Sequence, residues 1–239
     1  MDQTKPTSIV ALRIIAEDSA KFTFPTVTAP DKDPKTPPTK ALLNFGVRYY
    51  CYPWIRQFSS LSNGVVMLNE SDNIASARIV ARSLFELCAH IYYVKKHLKQ
   101  HITKQNYTAA WKFLTPITVG SRYLNEHHPD GGPRIPAPPH ISRVIRCFEE
   151  RLRKEDKEDY SYLSEYSHPN MMAFKQHYEN LGPRTIKITN QIPIHGYLGA
   201  TTGACLQALL AADELLKLAE EREVRIQLHK LIGAIVQPK

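Results

Sequence analysis

Apolar residues recur at helical spacing over most of the chain. Between residues 72 and 100 they point in nearly every direction around a helix, which is the pattern of a helix buried on all sides. Asp72 stands at the start of this segment and is expected to cap it. The same periodicity predicts helices at 41–61, 105–115, 141–154 and 157–179, and one long helix or two over 199–235. The sequence therefore predicts an all-α protein built as a multi-helix bundle.

Three segments interrupt the helical pattern. Residues 24–40 contain five prolines among charged residues and threonines, which predicts an extended arm. We therefore expect an N-terminal segment with a Pro-rich linker over 1–40 and a helical bundle domain over 41–239. Residues 120–140 are rich in glycine and proline, which predicts a long loop. Residues 184–194 alternate and hold β-branched side chains, so a small hairpin or extended segment is expected there.

Composition narrows the classes of partner. The formal charge of +8 favours an acidic partner, and nucleic acid is the first candidate. This charge is dispersed, and its densest runs, 94–104 and 143–157, are more typical of solvated helix faces.

The four cysteines are widely spaced and form no C-x-x-C pair, so reduced thiols in a cytoplasmic protein are expected. Neither an N-terminal membrane anchor nor a later apolar run of about 18 residues is present, so no membrane association is expected.

A line of polar residues runs along the most apolar predicted helix. Arg78, Arg82, Glu86 and His90 recur every four residues, a spacing that places them near one another on the helix surface. Arg82 and Glu86 have the separation of an intrahelical ion pair. Because burying a charge is costly without a partner, this line requires polar groups from another helix.

The stretch YSYLSEYSHPNMMAF, residues 160–174, offers such groups. Tyr160, Ser164 and His168 are each four residues from the last, so a helix would stack them along one side. Pro169 disfavours helical geometry at His168, so the helix is expected to end or kink there. We therefore predict that this helix packs against the one that carries Arg82 and Glu86. The resulting cluster is either a catalytic or ligand-binding site, or a structural polar network.

Two segments carry a resemblance to known proteins. ARSLFELCAHIYYV at 81–94 and YSYLSEYSHPN at 160–170 resemble a prokaryotic all-helical family of unknown function, with an R-x-x-x-E helix and a Y-x-x-L-S-x-x-x-H helix. That family is loosely similar to HEPN domains, helical bundles of bacterial toxins, defence systems and RNA-processing proteins. Active HEPN domains cleave RNA with an R-x4-6-H motif. The chain departs from this motif, since no arginine stands four to six residues before His168.

Matches to the R-x4-6-H motif do occur elsewhere in the chain. They pair Arg122 with His127 and His128, Arg134 with His140, and Arg222 with His229. Roughly two matches are expected by chance from this composition, so these four carry little weight.

The resemblance implies an RNA-acting helical effector of a phage-defence or toxin system, namely a metal-independent ribonuclease without a cofactor. Such chemistry needs a base, an acid and a cation beside the phosphate. The expected catalytic residues are Arg82, Glu86 and His168, and the expected substrate-binding residues are Arg78, Tyr160 and Ser164. The alternative is a non-catalytic scaffold or interaction module, possible as a homodimer. Its protein partner would bind the Pro-rich arm or the 120–140 loop.

Overall fold

The structure, a computed structural model, is an all-α multi-helix bundle with one small hairpin. It describes residues 8–31, 36–118, 138–152, 160–161, 163–165, 178–182, 185–188 and 197–236. The helices are α1 (Ser8–Ala20), α2 (Lys40–Glu70), α3 (Ile74–Thr103), α4 (Tyr107–Thr118), α5 (Ile141–Glu149), α6 (Tyr197–Leu218) and α7 (Glu223–Val236). The strands are β1 (Tyr178–Gly182) and β2 (Thr185–Ile188). Residues 160–161 and 163–165 are also helical.

Helix α3 is the central element, as its apolar surface predicts. It packs against α2, α4, α5 and α6. Phe85, Cys88, Ile91 and Val94 are fully buried, although they point in different directions from the axis. A helix surrounded in this way can expose a polar side chain only through gaps between its neighbours, and this restricts where a site on α3 can lie.

The ends of several helices differ from the sequence-based prediction. α3 is capped by Asn73, whose side chain accepts from the Ser76 N–H at 3.4 Å, and not by Asp72. Asp72 has a φ of 56° and lies in the turn between α2 and α3. α2 continues through Pro53 to Glu70, well beyond the predicted end at residue 61.

The helix predicted over 141–154 is shorter than expected, and of the two alternatives predicted for 199–235 the structure shows two helices. α5 ends at Glu149, five residues before the predicted end at residue 154. The C-terminal segment forms two helices, α6 and α7, with a break at residues 219–222 where Glu220 has a φ of 57°.

Part of the predicted N-terminal arm belongs to the bundle. α1 packs against α2, α6 and α7, and its Leu12 and Ile15 are fully buried. The chain after α1 is held on α2, because Arg56 donates to the carbonyl oxygens of Ala20 at 2.9 Å and Phe22 at 3.0 Å. The bundle therefore includes residues that precede position 41.

The hairpin confirms the extended segment predicted near 184–194. β1 and β2 pair in antiparallel register, with Tyr178 opposite Ile188 and Gly182 opposite Thr185. The helix predicted over 157–179 is helical at 160–161 and 163–165, but it is wrong at Tyr178 and Glu179, which belong to β1. The predicted 120–140 loop lies outside the described residues except for 138–140.

None of the helices that the structure describes is long and apolar enough to cross a membrane.

Candidate functional site

The polar line on α3 reaches three different neighbours. Four residues turn a helix through about 400°, so each step along the line rotates the side chain by about 40°. Arg78 therefore lies beside Tyr197 of α6, whereas Glu86 contacts Tyr160 and His90 contacts Tyr50 of α2. The line predicted from the sequence is thus divided into separate contacts.

Arg82, Glu86 and Tyr160 form one hydrogen-bonded group, which we call the Glu86 cluster. Arg82 Nε donates to Glu86 Oε1 at 2.9 Å, and the Tyr160 hydroxyl donates to the same oxygen at 3.2 Å. The side chains of Arg82 and Glu86 are 22% and 26% exposed. The cluster thus joins α3 to the segment that begins at Tyr160 and remains accessible from solvent.

Aromatic packing fixes Tyr160 in this position. Its ring stacks on that of Phe85, with centroids 5.0 Å apart and planes inclined by 26°. Phe85 is in turn in edge contact with Phe148 of α5 at 5.5 Å. Leu163, three residues after Tyr160, is fully buried. The start of the helix predicted over 157–179 is therefore anchored to α3, as the sequence analysis expected.

The hydroxyl of Tyr160 stays protonated and so remains a hydrogen-bond donor. Burial of the phenol and the neighbouring Glu86 carboxylate raise its pKa to about 12, because both disfavour the phenolate. The hydroxyl therefore keeps its proton over the whole physiological range and continues to donate to Glu86.

The other two members of the line are enclosed in the bundle. Arg78 is only 1% exposed, and its guanidinium lies 5.8 Å from the centre of the Tyr197 ring. His90 Nδ1 lies 2.9 Å from the Tyr50 hydroxyl, and burial lowers the pKa of His90, which favours the neutral imidazole. Of the two arginines predicted to meet a substrate, Arg82 is the one that solvent reaches.

Of the two remaining predicted site residues, Ser164 and His168, the structure describes only Ser164. Ser164 is half-buried and follows Tyr160 by one helical turn. His168 lies outside the described residues. The structure thus brings together Arg82, Glu86 and Tyr160, while the position of His168 relative to them stays a prediction.

The sequence analysis missed a second group with the same residue types, which we call the Glu221 cluster. Arg48 Nε lies 3.2 Å from Glu221 Oε2, and the Tyr52 hydroxyl donates to that oxygen at 2.7 Å. The spacing of Arg48 and Tyr52, one helical turn apart on α2, was the available signal. Glu221 gave none, because it stands in an acidic run that reads as solvated surface.

Comparison of the chain with protein-family models, with curated proteins and with solved structures found no match.

Proposed function

We propose that the protein acts on RNA at the Glu86 cluster and cleaves the phosphodiester without a metal ion. The observation that carries the proposal is the convergence of Arg82 and Tyr160 on one accessible glutamate oxygen. A guanidinium held in place by a carboxylate is a preorganised cation for a phosphate. The excess positive charge of the chain further favours an anionic substrate.

The reaction would be an intramolecular transesterification. The ribose 2′-oxygen attacks the adjacent phosphorus, the bond to the 5′-oxygen breaks, and a cyclic phosphate and a 5′-hydroxyl result. Arg82 stabilises the negative charge of the phosphorane, and Glu86 positions Arg82. His168, eight residues after Tyr160, is proposed to remove the 2′-proton or to protonate the leaving oxygen, and a water molecule makes the other proton transfer. Ser164 is proposed to orient the phosphate.

A structural role for the same cluster is the second candidate. The observation that favours it is the stacking of Tyr160 on the buried ring of Phe85. In this role the hydrogen bonds to Glu86 fix the segment after Tyr160 against α3, and the protein is a non-catalytic scaffold or interaction module.

Cleavage of a mixed RNA pool by purified protein in the presence of EDTA distinguishes the two roles. Wild type is compared with Arg82→Ala and His168→Ala, and the thermal midpoint of each protein is recorded. If the cluster is catalytic, Arg82→Ala lowers the cleavage rate by about a hundredfold or more, because the phosphorane loses its cation. The lost hydrogen bond alone is expected to cost about 1 kcal/mol of stability.

Arg13→Ala is the matched control. Arg13 is an exposed residue of α1 that also pairs with a glutamate, Glu70, and its removal changes the net charge by the same amount. Equal loss of cleavage in Arg82→Ala and Arg13→Ala would assign the effect to charge and not to the site. Intact RNA with wild type and a lowered midpoint in Arg82→Ala would support the structural role.

A further inference from the structure

The carboxyl-terminal half of α3 lines a basic groove away from the Glu86 cluster. The groove has a volume of about 420 Å³. Its lining residues are Lys95, Lys96, Lys99, Gln100, Thr103 and Lys104. We call this surface the lysine groove. Four of its six side chains are cationic and none is acidic, so its charge favours an anion.

Neighbouring carboxylates only partly offset this charge. Lys95 and Lys99 share Glu214 of α6, at 3.5 and 3.0 Å, and Lys96 pairs with Glu150 at 2.6 Å. Three lysines are thus matched by two carboxylates. The pairs of Lys96 and Lys99 are exposed, contribute little and are screened by salt, so a phosphate can displace them at small cost, whereas Lys95 is 15% exposed and is held more firmly.

Helix α5 adds further positive charge beside the groove. Arg143 and Arg146 lie on its exposed face. Burial lowers the pKa of His97, and the nearby charges of Arg143 and Lys96 lower it further. The neutral imidazole is therefore favoured, and His97 is available for ring contacts rather than as another cation.

Aromatic rings lie on or against the same half of α3 as the lysine groove, although they are not among its lining residues. His97 lies against Tyr93 at 4.4 Å and against Phe113 of α4 at 5.2 Å, and His101 lies 6.4 Å from Phe113. Lys95 lies 4.6 Å from the centre of the Tyr92 ring. Phe113, His97 and His101 are partly exposed. Surfaces that bind single strands combine two components: cations that contact the phosphate backbone and aromatic rings on which the bases stack.

We propose that the lysine groove binds the sugar-phosphate backbone of single-stranded RNA and delivers it to the Glu86 cluster. This inference rests on the proposed function for its choice of nucleic acid. Fourteen residues separate Arg82 from Lys96 on α3, a distance of about 21 Å along the axis. At a rise of about 3.4 Å per nucleotide, a strand of about six nucleotides covers that distance.

Binding is tested with a fluorescein-labelled, 2′-O-methylated single-stranded RNA of about 16 nucleotides, followed by fluorescence anisotropy. The methylated probe has no 2′-hydroxyl nucleophile, so wild type can be titrated without cleavage. The double variant Lys99→Ala/Lys104→Ala is expected to bind about tenfold more weakly. The slope of log K against log salt should fall by about 1.4, because each lost contact with a single strand contributes about 0.7.

The double variant Lys21→Ala/Lys230→Ala is the matched control. Both lysines are exposed: Lys21 directly follows α1, and Lys230 lies on α7. Their replacement removes the same total charge as the groove variant. Its affinity is expected to stay within about twofold of wild type. Equal weakening in both double variants, no change in either, or no binding by wild type would each overturn the proposal.

Cleavage of unmodified RNA separates this inference from the proposed function. The groove variant should raise KM with little change in kcat, whereas Arg82→Ala should lower kcat. If the probe binds through the groove and unmodified RNA stays intact, the ribonuclease proposal is wrong and the groove proposal is supported. If wild type cleaves RNA and both double variants bind the probe equally well, the groove proposal is wrong and the ribonuclease proposal is supported.

Discussion

Two clusters in this bundle share their chemistry and differ in their surroundings. The Glu86 cluster and the Glu221 cluster each contain one arginine, one tyrosine and one glutamate. In each, the arginine Nε and the tyrosine hydroxyl meet a single carboxylate oxygen, at 2.9 and 3.2 Å in the first and at 3.2 and 2.7 Å in the second. Arg82 Nε donates a hydrogen bond to Glu86, whereas Arg48 Nε makes an ion-pair contact with Glu221 without a hydrogen bond. Residue type and convergence on one carboxylate oxygen are nevertheless shared, so they do not distinguish a functional site from a structural contact.

Burial of the carboxylate distinguishes them. Glu221 is 5% exposed, and its other oxygen accepts the backbone N–H of Glu223 at 3.1 Å, where α7 begins. Arg48 also donates to the carbonyl oxygen of Ala219, just after the end of α6, at 3.1 Å. The Glu221 cluster thus ties the turn between α6 and α7 to α2. Both oxygens of the Glu221 carboxylate are therefore engaged in contacts that hold the helices together.

The Glu86 cluster is open by comparison. Its carboxylate is 26% exposed, against 5% for Glu221, whereas the two arginines differ little, at 22% for Arg82 and 30% for Arg48. Accessibility of the carboxylate is therefore the feature that separates the two clusters. Substitutions at matching positions of the two clusters test this distinction.

The largest difference in stability is expected from the two glutamates. Glu221→Gln should lower the free energy of unfolding by about 3 kcal/mol, because it leaves Arg48 without its buried countercharge. Glu86→Gln should cost about 1 kcal/mol, since water can solvate the groups it leaves. Urea denaturation of both variants measures the difference. Equal losses would remove the distinction between a buried and an open cluster.

Glu220→Gln serves as the neighbouring control for the first variant. Glu220 is 61% exposed and pairs with Lys40 at the surface. Its midpoint in urea should match that of wild type, because exposed pairs contribute little. A loss as large as that of Glu221→Gln would show that the turn itself, and not the buried carboxylate, is sensitive.

Local periodicity predicted most of the helical fold. The apolar positions of α3 repeat at a spacing that only a helix can bury, and no distant residue is needed to recognise it. The ends were less accurate because they depend on single side chains. Asn73 caps α3, although Asp72 is an equally good capping residue by type, because the φ of 56° at Asp72 takes that residue into the preceding turn.

The candidate site was predicted only where its contacts follow from helix geometry. Arg82 and Glu86 are four residues apart, and the contact of Tyr160 with that pair was expected from the need for a partner. The drift of about 40° per step, which buries Arg78 and turns His90 toward α2, was overlooked. The Glu221 cluster depends on a contact between positions 52 and 221, which no local pattern specifies.

A smaller difference is expected when the two tyrosines lose their hydroxyl groups. Tyr52→Phe should cost about 1.5 kcal/mol, because Glu221 is buried and loses a donor that water does not replace. Tyr160→Phe should cost about 0.5 kcal/mol, since its ring still stacks on Phe85 and Glu86 is accessible to water. Urea midpoints measured in parallel test the order. The reverse order would place the tighter network at the Glu86 cluster.

The stability difference between wild type and Tyr160→Phe is also expected to depend on alkaline pH. Burial and Glu86 raise the pKa of Tyr160 from 10.0 to about 12, and burial and Glu221 raise the pKa of Tyr52 as well. Between pH 10 and about 12 the unfolded chain therefore binds fewer protons than the folded chain, and wild type loses stability as the pH rises. Phenylalanine at position 160 removes that contribution, so the gap in urea midpoint between wild type and Tyr160→Phe should narrow over this interval. A gap that stays constant would show that the phenol of Tyr160 is not held in its neutral form by the Glu86 cluster.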